Sequence, residues 1–403
     1  MLIEKMRPFR TSIQMTLLAF IFRLFAIPVS LFGLNTYSKH DAVGFRITAH
    51  RIADGRIPLT HIDLTNVYHY WGSMLSLFYW LPGPSDVYSH LFVAAIGCLP
   101  VWFVYEIATE LYDRRAAVYA TLPIAVFPTF LLVQTSLIRE GPVLLLITAI
   151  VYLFVVPTDA SRGDPRYLIM LCFVLVTLFR PENLFVYAFA IFIAWGIKIY
   201  SYIETYYDVG VSFKHERLAS ALFGSLSTGI ALIAGQKILS FAIAPRRAKR
   251  ARGGSAYLVG IIPSDLFTAA WFAPIGIAYF LFSPFPWMVK SWTYLAPMAV
   301  GILNLGLFIA GLVGAKTLIK ARPQVAIPLI AAFALLTLFY GLMEGNVGAA
   351  IRHRQMVIWV MYLCAGVGLA ERFGVDVSVR DMHIRLVRRA KHEISKPIAV
   401  QSN

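Results

Sequence analysis

The chain has 403 residues, of which 59% are hydrophobic and 14% charged, and its mean hydropathy is +0.69. Soluble domains carry about 25% charged residues, so the composition excludes a soluble globular protein and points to an all-α polytopic integral membrane protein. The formal charge of +15 does not indicate nucleic acid, because Lys and Arg sit in short loops between apolar runs, as membrane topology demands.

The basic segment Met1–Arg10 precedes an apolar run from about Ser12 to Leu34, longer than the roughly 7–15 residues of a secretory signal core. It reads as a retained first membrane helix with a cytoplasmic N-terminus, which delivers Asn35–Asn66 to the extracytoplasmic side. In that loop Asp41, Phe45, Thr48, Ala49 and Ile52 recur at helical spacing, with Gly55 and Pro58 as stop signals. This predicts a short amphipathic helix suited to the lipid interface. Tyr68–Leu81 is too short to span comfortably and holds Tyr68, Tyr70, Trp71, Tyr79 and Trp80; it reads as an aromatic-anchored interfacial segment, with a short span as the alternative.

Spans are expected at about Ser89–Leu111, Ala116–Thr135 and Glu140–Val156, each near the length that crosses a bilayer. The turn Asp113-Arg-Arg115 is cytoplasmic by charge, which returns Arg139 and Glu140 to the side of Asp41. After the cytoplasmic turn Asp159–Arg166, a fifth helix ends at Phe179-Arg-Pro-Glu-Asn183, a sixth runs to Lys198, and a seventh runs from Leu218 to Ala244 after the cytoplasmic loop Ser201–Arg217. The basic run Pro245–Ser255 then falls outside, against the positive-inside rule. Later spans near Thr293–Ala315, Val325–Leu342 and Met356–Ala370 place Glu344–Arg354 outside, with Lys316–Arg322 and the tail Arg372–Lys396 cytoplasmic. Consistency then requires Phe267–Phe285 to be re-entrant or interfacial; the alternative places Arg246–Arg252 inside, followed by a full span. The expected organisation is a catalytic membrane module over residues 1–200, C-terminal membrane helices with lipid-carrier contacts over 201–371, and a basic cytoplasmic tail over 372–403, all in a plasma or inner membrane.

Cys98, Cys172 and Cys364 each lie in an apolar run without a CxxC neighbour, and His50, His61 and His69 have no metal-site spacing. Neither a disulfide framework nor a metal centre is indicated, although a carboxylate pair on one membrane face is compatible with Mg or Mn. Ionisable residues at membrane depth need a partner, a wet cavity or a function. The outer set is Asp41, Arg139 with Glu140, Arg180 with Glu182, the Arg246–Arg252 cluster, and Glu344 with Arg352, His353 and Arg354. Two separated carboxylates beside several arginines suit transfer from a lipid phosphate: one carboxylate takes a proton from an attacking hydroxyl, and guanidinium forks neutralise the departing phosphate. Blander roles stand beside these: Asp41 as a helix cap, Glu140 as a charge complementing a helix dipole, Arg180 and Glu182 as a local ion pair, and Arg352, His353 and Arg354 as snorkelling residues.

Phe22-Arg-Leu24 in the first helix, then Asp41 with Ala49 and Gly55, resemble the membrane-embedded C-type (GT-C) glycosyltransferases, especially the protein-mannosyltransferase-like branch. So does the block from Val67 to Val155, with Gly83-Pro-Ser-Asp86, Tyr112-Asp-Arg-Arg-Ala-Ala117, a span through Pro128, and Ser136-Leu-Ile-Arg-Glu140. The segments Leu281–Trp287 and Glu344–Arg354 are similar to segments of multi-span proteins of surface-polysaccharide synthesis. The resemblance implies a bundle of about ten to twelve membrane helices, a polyprenyl-phosphate sugar donor, and inverting transfer to a glycan, lipid or protein acceptor on the extracytoplasmic face. It further implies Asp41 as general base and Glu140 as the second acid; from the outer-facing set of charges, Arg139, Arg180, Glu182, Arg352, His353 and Arg354 are the expected substrate or phosphate contacts. The chain departs from the family pattern at His40, which precedes Asp41, at Phe45 and Arg46, where a Tyr is expected, and at Tyr68-His-Tyr70, which replaces a His-Pro-Pro-like turn. The alternatives are a surface-polysaccharide polymerase or ligase and a flippase for a lipid-linked glycan. The flippase predicts charges along the whole bilayer path and internal pseudo-symmetry, whereas here the charges gather on one side.

Overall fold

The computed structural model describes residues 2–35, 37–157, 164–181 and 235–373. Glu182, the expected sixth helix, most of the seventh, the loop 201–217 and the basic tail from 374 onward lie outside the described residues. The fold is all-helical and polytopic. Among the described residues five helices are long and apolar enough to cross a membrane, six if one bent pair counts as a span, and Glu140–Val155, Pro165–Phe179 and Leu266–Phe282 are shorter apolar helices.

α1 (Leu2–Leu31) is followed by α2 (Lys39–Ala53). The face of α2 expected from its spacing is the one buried, through Phe45, Ala49 and Ile52, and it packs on α3 (Val67–Tyr79), where Gly72 lets Thr48 approach. With only 13 residues, α3 cannot span. α4 (Ser85–Leu111) crosses back.

The expected single helix from Ala116 to Thr135 is instead broken into α5 (Arg114–Val126) and α6 (Pro128–Gln134), which meet at a 60° bend. Pro128 has no N–H to give the Ile124 carbonyl, and its ring disfavours a continuous helix. The carbonyl left over accepts a hydrogen bond from Arg23 Nη2 of α1 at 3.3 Å, while Nη1 donates to Ala19 at 3.1 Å. Arg23, fully buried in a membrane helix, is thus the residue that satisfies the backbone at the break, as the bilayer interior requires.

α7 (Glu140–Val155) and α8 (Pro165–Phe179) complete the first half. In the second half a π-helical turn, Leu239–Ile243, leads into α9 (Ala244–Arg250), then α10 (Leu266–Phe282), α11 (Leu295–Ala321), α12 (Pro323–Met343) and α13 (Val347–Phe373). α13 is the central element, buried along most of its length between α11 and α5. Small residues set the close approach, as in membrane helix pairs generally. A Cβ on Gly314 of α11 would strike the Cys364 carbonyl and the Gly368 amide, and one on Gly366 would strike the backbone of Ala116 and Ala120.

The segment after α9 leaves and returns to the same end of the bundle. Phe272 of α10 lies under the Arg247 guanidinium, 4.4 Å from ring centroid to Cζ. The end of α10 reaches Arg354, two turns down α13, through the Leu281 and Ser283 carbonyls. The chain then climbs back, where Lys290 Nζ donates to Gly254 O at 2.7 Å and Tyr37 Oη donates to Thr293 O at 2.6 Å. The arginine-rich α9 consequently shares its end of the bundle with Asp41, Arg250 and Asp41 lining one cavity there.

Gly314→Ala and Gly368→Ala each force backbone against backbone and are expected to cost about 1–3 kcal/mol by overpacking. Gly306, on the same helix as Gly314, has nothing within 4 Å of an added Cβ, and Gly306→Ala is expected to be neutral or stabilising by up to about 1 kcal/mol. Thermal unfolding of the three variants in detergent checks the contrast.

Candidate active site

Asp41 is placed by a polar knot that ties the start of α2 to the α6–α7 joint. Asn35 Nδ2 donates to Ser38 Oγ at 2.8 Å, to the Leu132 carbonyl at 2.8 Å and to Ser136 Oγ at 3.0 Å, and Ser38 and Ser136 share a hydroxyl contact of 2.7 Å. All three side chains are buried, so these bonds are sheltered from competing water. The knot fixes Asp41 relative to Glu140, which opens α7 four residues after Ser136.

Ser38, not Asp41, occupies the cap position of α2. Asp41 stands in the first turn and pairs with Arg352 of α13. Burial works to raise its pKa, but Arg352, reinforced by Arg139 and Arg180, brings it below the ordinary aspartate value. The carboxylate is therefore held ionised. Tyr68 of α3 lies beside it: its hydroxyl pKa is raised by burial and then by the Asp41 charge, and its ring stacks on Phe45 at 4.5 Å. A tyrosine thus reaches Asp41 from another helix rather than from the residues just after it.

Glu140 and Arg180 form a buried ion pair at 2.6 Å, with both side chains 3% exposed. Arg180 therefore binds across to α7 instead of only within its own turn. Arg139 donates to the Phe179 carbonyl at 2.7 Å, so the two arginines staple α7 to the end of α8. At the α12–α13 joint Glu344 is wholly buried between Arg250 of α9 and His353, whose Nδ1 lies 2.6 Å from Oε1. Burial raises the Glu344 pKa, against the pull of Arg250, Arg352 and Arg180.

A cavity of about 570 Å³ opens at this end of the bundle, lined among others by Tyr37, His40, Asp41, Arg250, Tyr294 and Arg352. Of the expected contacts, Asp41 and Arg352 line it directly. Glu140, Arg180 and His353 are buried and Arg139 is half-buried, and none of the four lines the cavity. Arg354 is not brought to the cavity; it is 2% exposed and donates to the Leu281 and Ser283 carbonyls at 3.0 and 2.7 Å. Arg352 and Arg354 are two residues apart on a helix, roughly 200° around its axis, so they face opposite sides. Arg250 is the residue that sequence reasoning left undistinguished within its basic run. Nothing in Arg246–Arg252 marks Arg247 and Arg250 as the two that face inward, because that depends on the path of α9 against Glu344. Among the described residues no three His, Cys, Asp or Glu side chains gather as a metal site, and Asp41, Glu140 and Glu344 are each paired with a guanidinium.

The described residues form an all-helical membrane bundle with Asp41, Arg250 and Arg352 at a cavity on one of its ends, an arrangement compatible with a membrane glycosyltransferase of the C type. Residues 69–212 match the family model described as dolichyl-phosphate-mannose-protein mannosyltransferase, which supports that class and the mannosyltransferase-like resemblance seen in the sequence. No curated relative matches the chain. The matched stretch includes Arg139, Glu140 and Arg180, whereas Asp41, Glu344 and Arg352 lie outside it.

Removing one member of a buried pair strands the other charge, at a typical cost of about 3–5 kcal/mol, while replacing both by apolar residues is often close to neutral. Glu140→Gln is accordingly expected to destabilise strongly, and Glu140→Leu with Arg180→Met to recover most of the loss. A double-mutant cycle on denaturation in detergent measures the difference.

Proposed function

We propose that the chain transfers a sugar from a polyprenyl-phosphate carrier to an acceptor hydroxyl on the extracytoplasmic face, with inversion at the anomeric carbon. The observation that carries this reading is the position of Asp41, held ionised at the wall of a cavity that also presents Arg250 and Arg352. In the proposed step the acceptor oxygen forms a bond to the anomeric carbon as the bond from that carbon to the phosphate oxygen breaks. Asp41 accepts the hydroxyl proton, and the polyprenyl phosphate leaves with the bonding electron pair. The charge that develops on the phosphate is met by Arg352 and Arg250, whose planar forks suit two phosphate oxygens at once.

Arg352 has two uses in this scheme. Before the donor enters it neutralises Asp41; a phosphate in the cavity competes for the same guanidinium and frees the carboxylate to act as a base. Glu140 and Glu344 act through their arginines: Glu140 fixes Arg180 behind Asp41, and Glu344 fixes Arg250 at the cavity wall. His353 meets the same Glu344 oxygen, Oε1, that Arg250 does.

The extracytoplasmic assignment rests on charge asymmetry. The joints at the other end of the bundle carry Arg114 and Arg115 between α4 and α5, and Lys316, Lys320 and Arg322 near the joint of α11 and α12, as cytoplasmic loops do. The basic run of α9 lies at the Asp41 end, but Arg247 and Arg250 are bound to Glu344, through its backbone carbonyl and its carboxylate respectively. Their charge is used inside the protein rather than presented to the membrane.

Asp41→Asn is expected to lower transfer from a polyprenyl-phosphate sugar by about 10²–10⁴-fold, the usual contribution of a general base, with unfolding temperature and helicity retained; full activity in this variant removes Asp41 as the base. The pH profile provides a separate check. A depressed carboxylate pKa puts the loss of activity at acid pH, below the ordinary aspartate range. Arg352→Gln removes the largest opposing charge, so residual activity is expected to fall away at a higher pH than in the parent; an unmoved acid limb separates Asp41 from the titrating group.

A further inference from the structure

A second cavity of about 260 Å³ adjoins the first, and the two share Gly254, Ser255 and Tyr294 as a common wall. Its character is different. Where the first presents Asp41 and two arginines, the second is walled by Tyr257, Tyr279, Trp287 and Tyr294, with Lys290 as its cation.

Trp287 is the distinctive feature. It is 71% exposed yet held rigidly: its ring stacks on Phe285 at 4.7 Å and 5°, and Nε1 donates to Tyr279 Oη at 3.4 Å. Tyr279 is itself packed edge-on to Phe285 at 4.9 Å and beside Tyr257 at 5.2 Å. The turn that carries these residues is tied down by Lys290 Nζ on the Gly254 carbonyl, so the aromatic wall is prepared before anything binds.

Such a wall fits a pyranose. The C–H bonds on one face of a sugar ring carry partial positive charge and lie flat on the negative face of an aromatic ring, and the half-buried Ser255 and Tyr294 add hydroxyls to the same lining. A polyprenyl chain would gain little from the phenol hydroxyls of Tyr279 and Tyr294 and an ammonium group, and an extended peptide would look for a strand edge, of which the described residues show only the isolated bridge Ala256–Asn346.

We propose that this second cavity is the acceptor subsite and that it takes a glycan, one sugar ring lying on Trp287 so that a hydroxyl of that ring, or of the residue attached to it, crosses the shared wall toward Asp41. The assignment rests on the transferase reading given above and narrows its acceptor to a saccharide. Trp287 is then a binding and specificity residue with no part in proton transfer.

Two measurements on the full-length protein in detergent test the subsite and the transferase reading separately. The first is saturation-transfer NMR with methyl α-mannopyranoside, methyl β-glucopyranoside and methyl β-galactopyranoside as probes, with geranyl phosphate and a serine-containing hexapeptide as competitors. At least one pyranoside is expected to bind, to weaken at least tenfold in Trp287→Ala and to recover in part in Trp287→Phe, while geranyl phosphate binding is unchanged by either substitution. Absence of pyranoside binding, equal binding in Trp287→Ala, or displacement of the sugar from Trp287 by geranyl phosphate or the peptide each overturns the proposal. The second measurement is turnover with a polyprenyl-phosphate sugar, comparing transfer to the bound pyranoside with hydrolysis by water. Trp287→Ala is expected to raise the acceptor KM at least tenfold with a much smaller change in the donor KM; a donor KM that rises as much as the acceptor KM overturns the subsite by placing Trp287 at the donor. Sugar binding that depends on Trp287 in a protein that neither transfers nor hydrolyses refutes the transferase reading and leaves a saccharide site standing.

Discussion

The structure depends on one polar turn inside a membrane helix. Arg352, His353, Arg354 and Gln355 are consecutive in α13, and because successive residues are 100° apart on a helix they point in four directions. Arg352 reaches Asp41 of α2, His353 reaches Glu344 at the α12–α13 joint, Arg354 takes the two carbonyls at the end of α10, and Gln355 takes the side chain of Gln134 and the carbonyl of Thr129 in α6. Hydrogen bonds to charged groups contribute about 1.5–3 kcal/mol each when both partners are buried. The larger effect is negative: any register or rotation of α13 other than this one leaves several buried polar groups unpaired. That constraint selects a single arrangement of helices whose apolar surfaces would otherwise pack in many ways.

The same constraint shapes the electrostatics of the site. Three carboxylates lie at one end of the bundle, and each is met by a guanidinium from a different helix: Asp41 by α13, Glu140 by the residue after α8, and Glu344 by α9. The Glu140–Arg180 pair is closed, with both side chains 3% exposed, and in the Glu344–Arg250 pair the carboxylate is sealed while the arginine reaches the cavity wall. The Asp41 pair is the open one, with its carboxylate side chain 38% exposed and its arginine at the cavity wall. An ion pair that faces a cavity can be exchanged for a ligand's charge at much lower cost than one sealed in protein, because water and substrate can solvate the partner that is released. Among the three carboxylates of these pairs, Asp41 is the one with an exposed side chain.

Much of this was legible in the sequence. The spacing of Asp41, Phe45, Thr48, Ala49 and Ile52 specified α2 and its buried face, because a helical period is a local property. The gathering of charges at one end followed from counting spans. What local pattern could not supply was partnership. Glu140 and Arg180 are 40 residues apart and Asp41 and Arg352 are 311 apart, and no periodicity links them. The division of labour between Arg352 and Arg354 was hidden for the same reason: both are arginines in one helical turn, and only the positions of α2 and α10 send one to the cavity and the other to backbone carbonyls. The break at Pro128 was available in principle, since a proline in a helical run frees the carbonyl four residues before it; the residue that satisfies that carbonyl, Arg23, lies 101 positions earlier.

That break has a consequence for the site. Had α5 and α6 run on as one straight helix, Gln134, Thr135 and Ser136 would continue along the axis of α5. The 60° turn at Pro128 instead swings them across the bundle, where Ser136 binds Asn35 and Ser38, and Gln134 binds Gln355. Arg23 bridges the bend from α1, so the helix that carries the chain to α2 also stabilises the bend that receives it. The geometry around Asp41 therefore rests on a buried arginine in α1 and a proline after α5, neither of which lies at the site. A bent helix held by a neighbouring cation costs membrane stability at one point, but it turns a row of hydroxyl and amide groups inward, and those groups are what fix the start of α2.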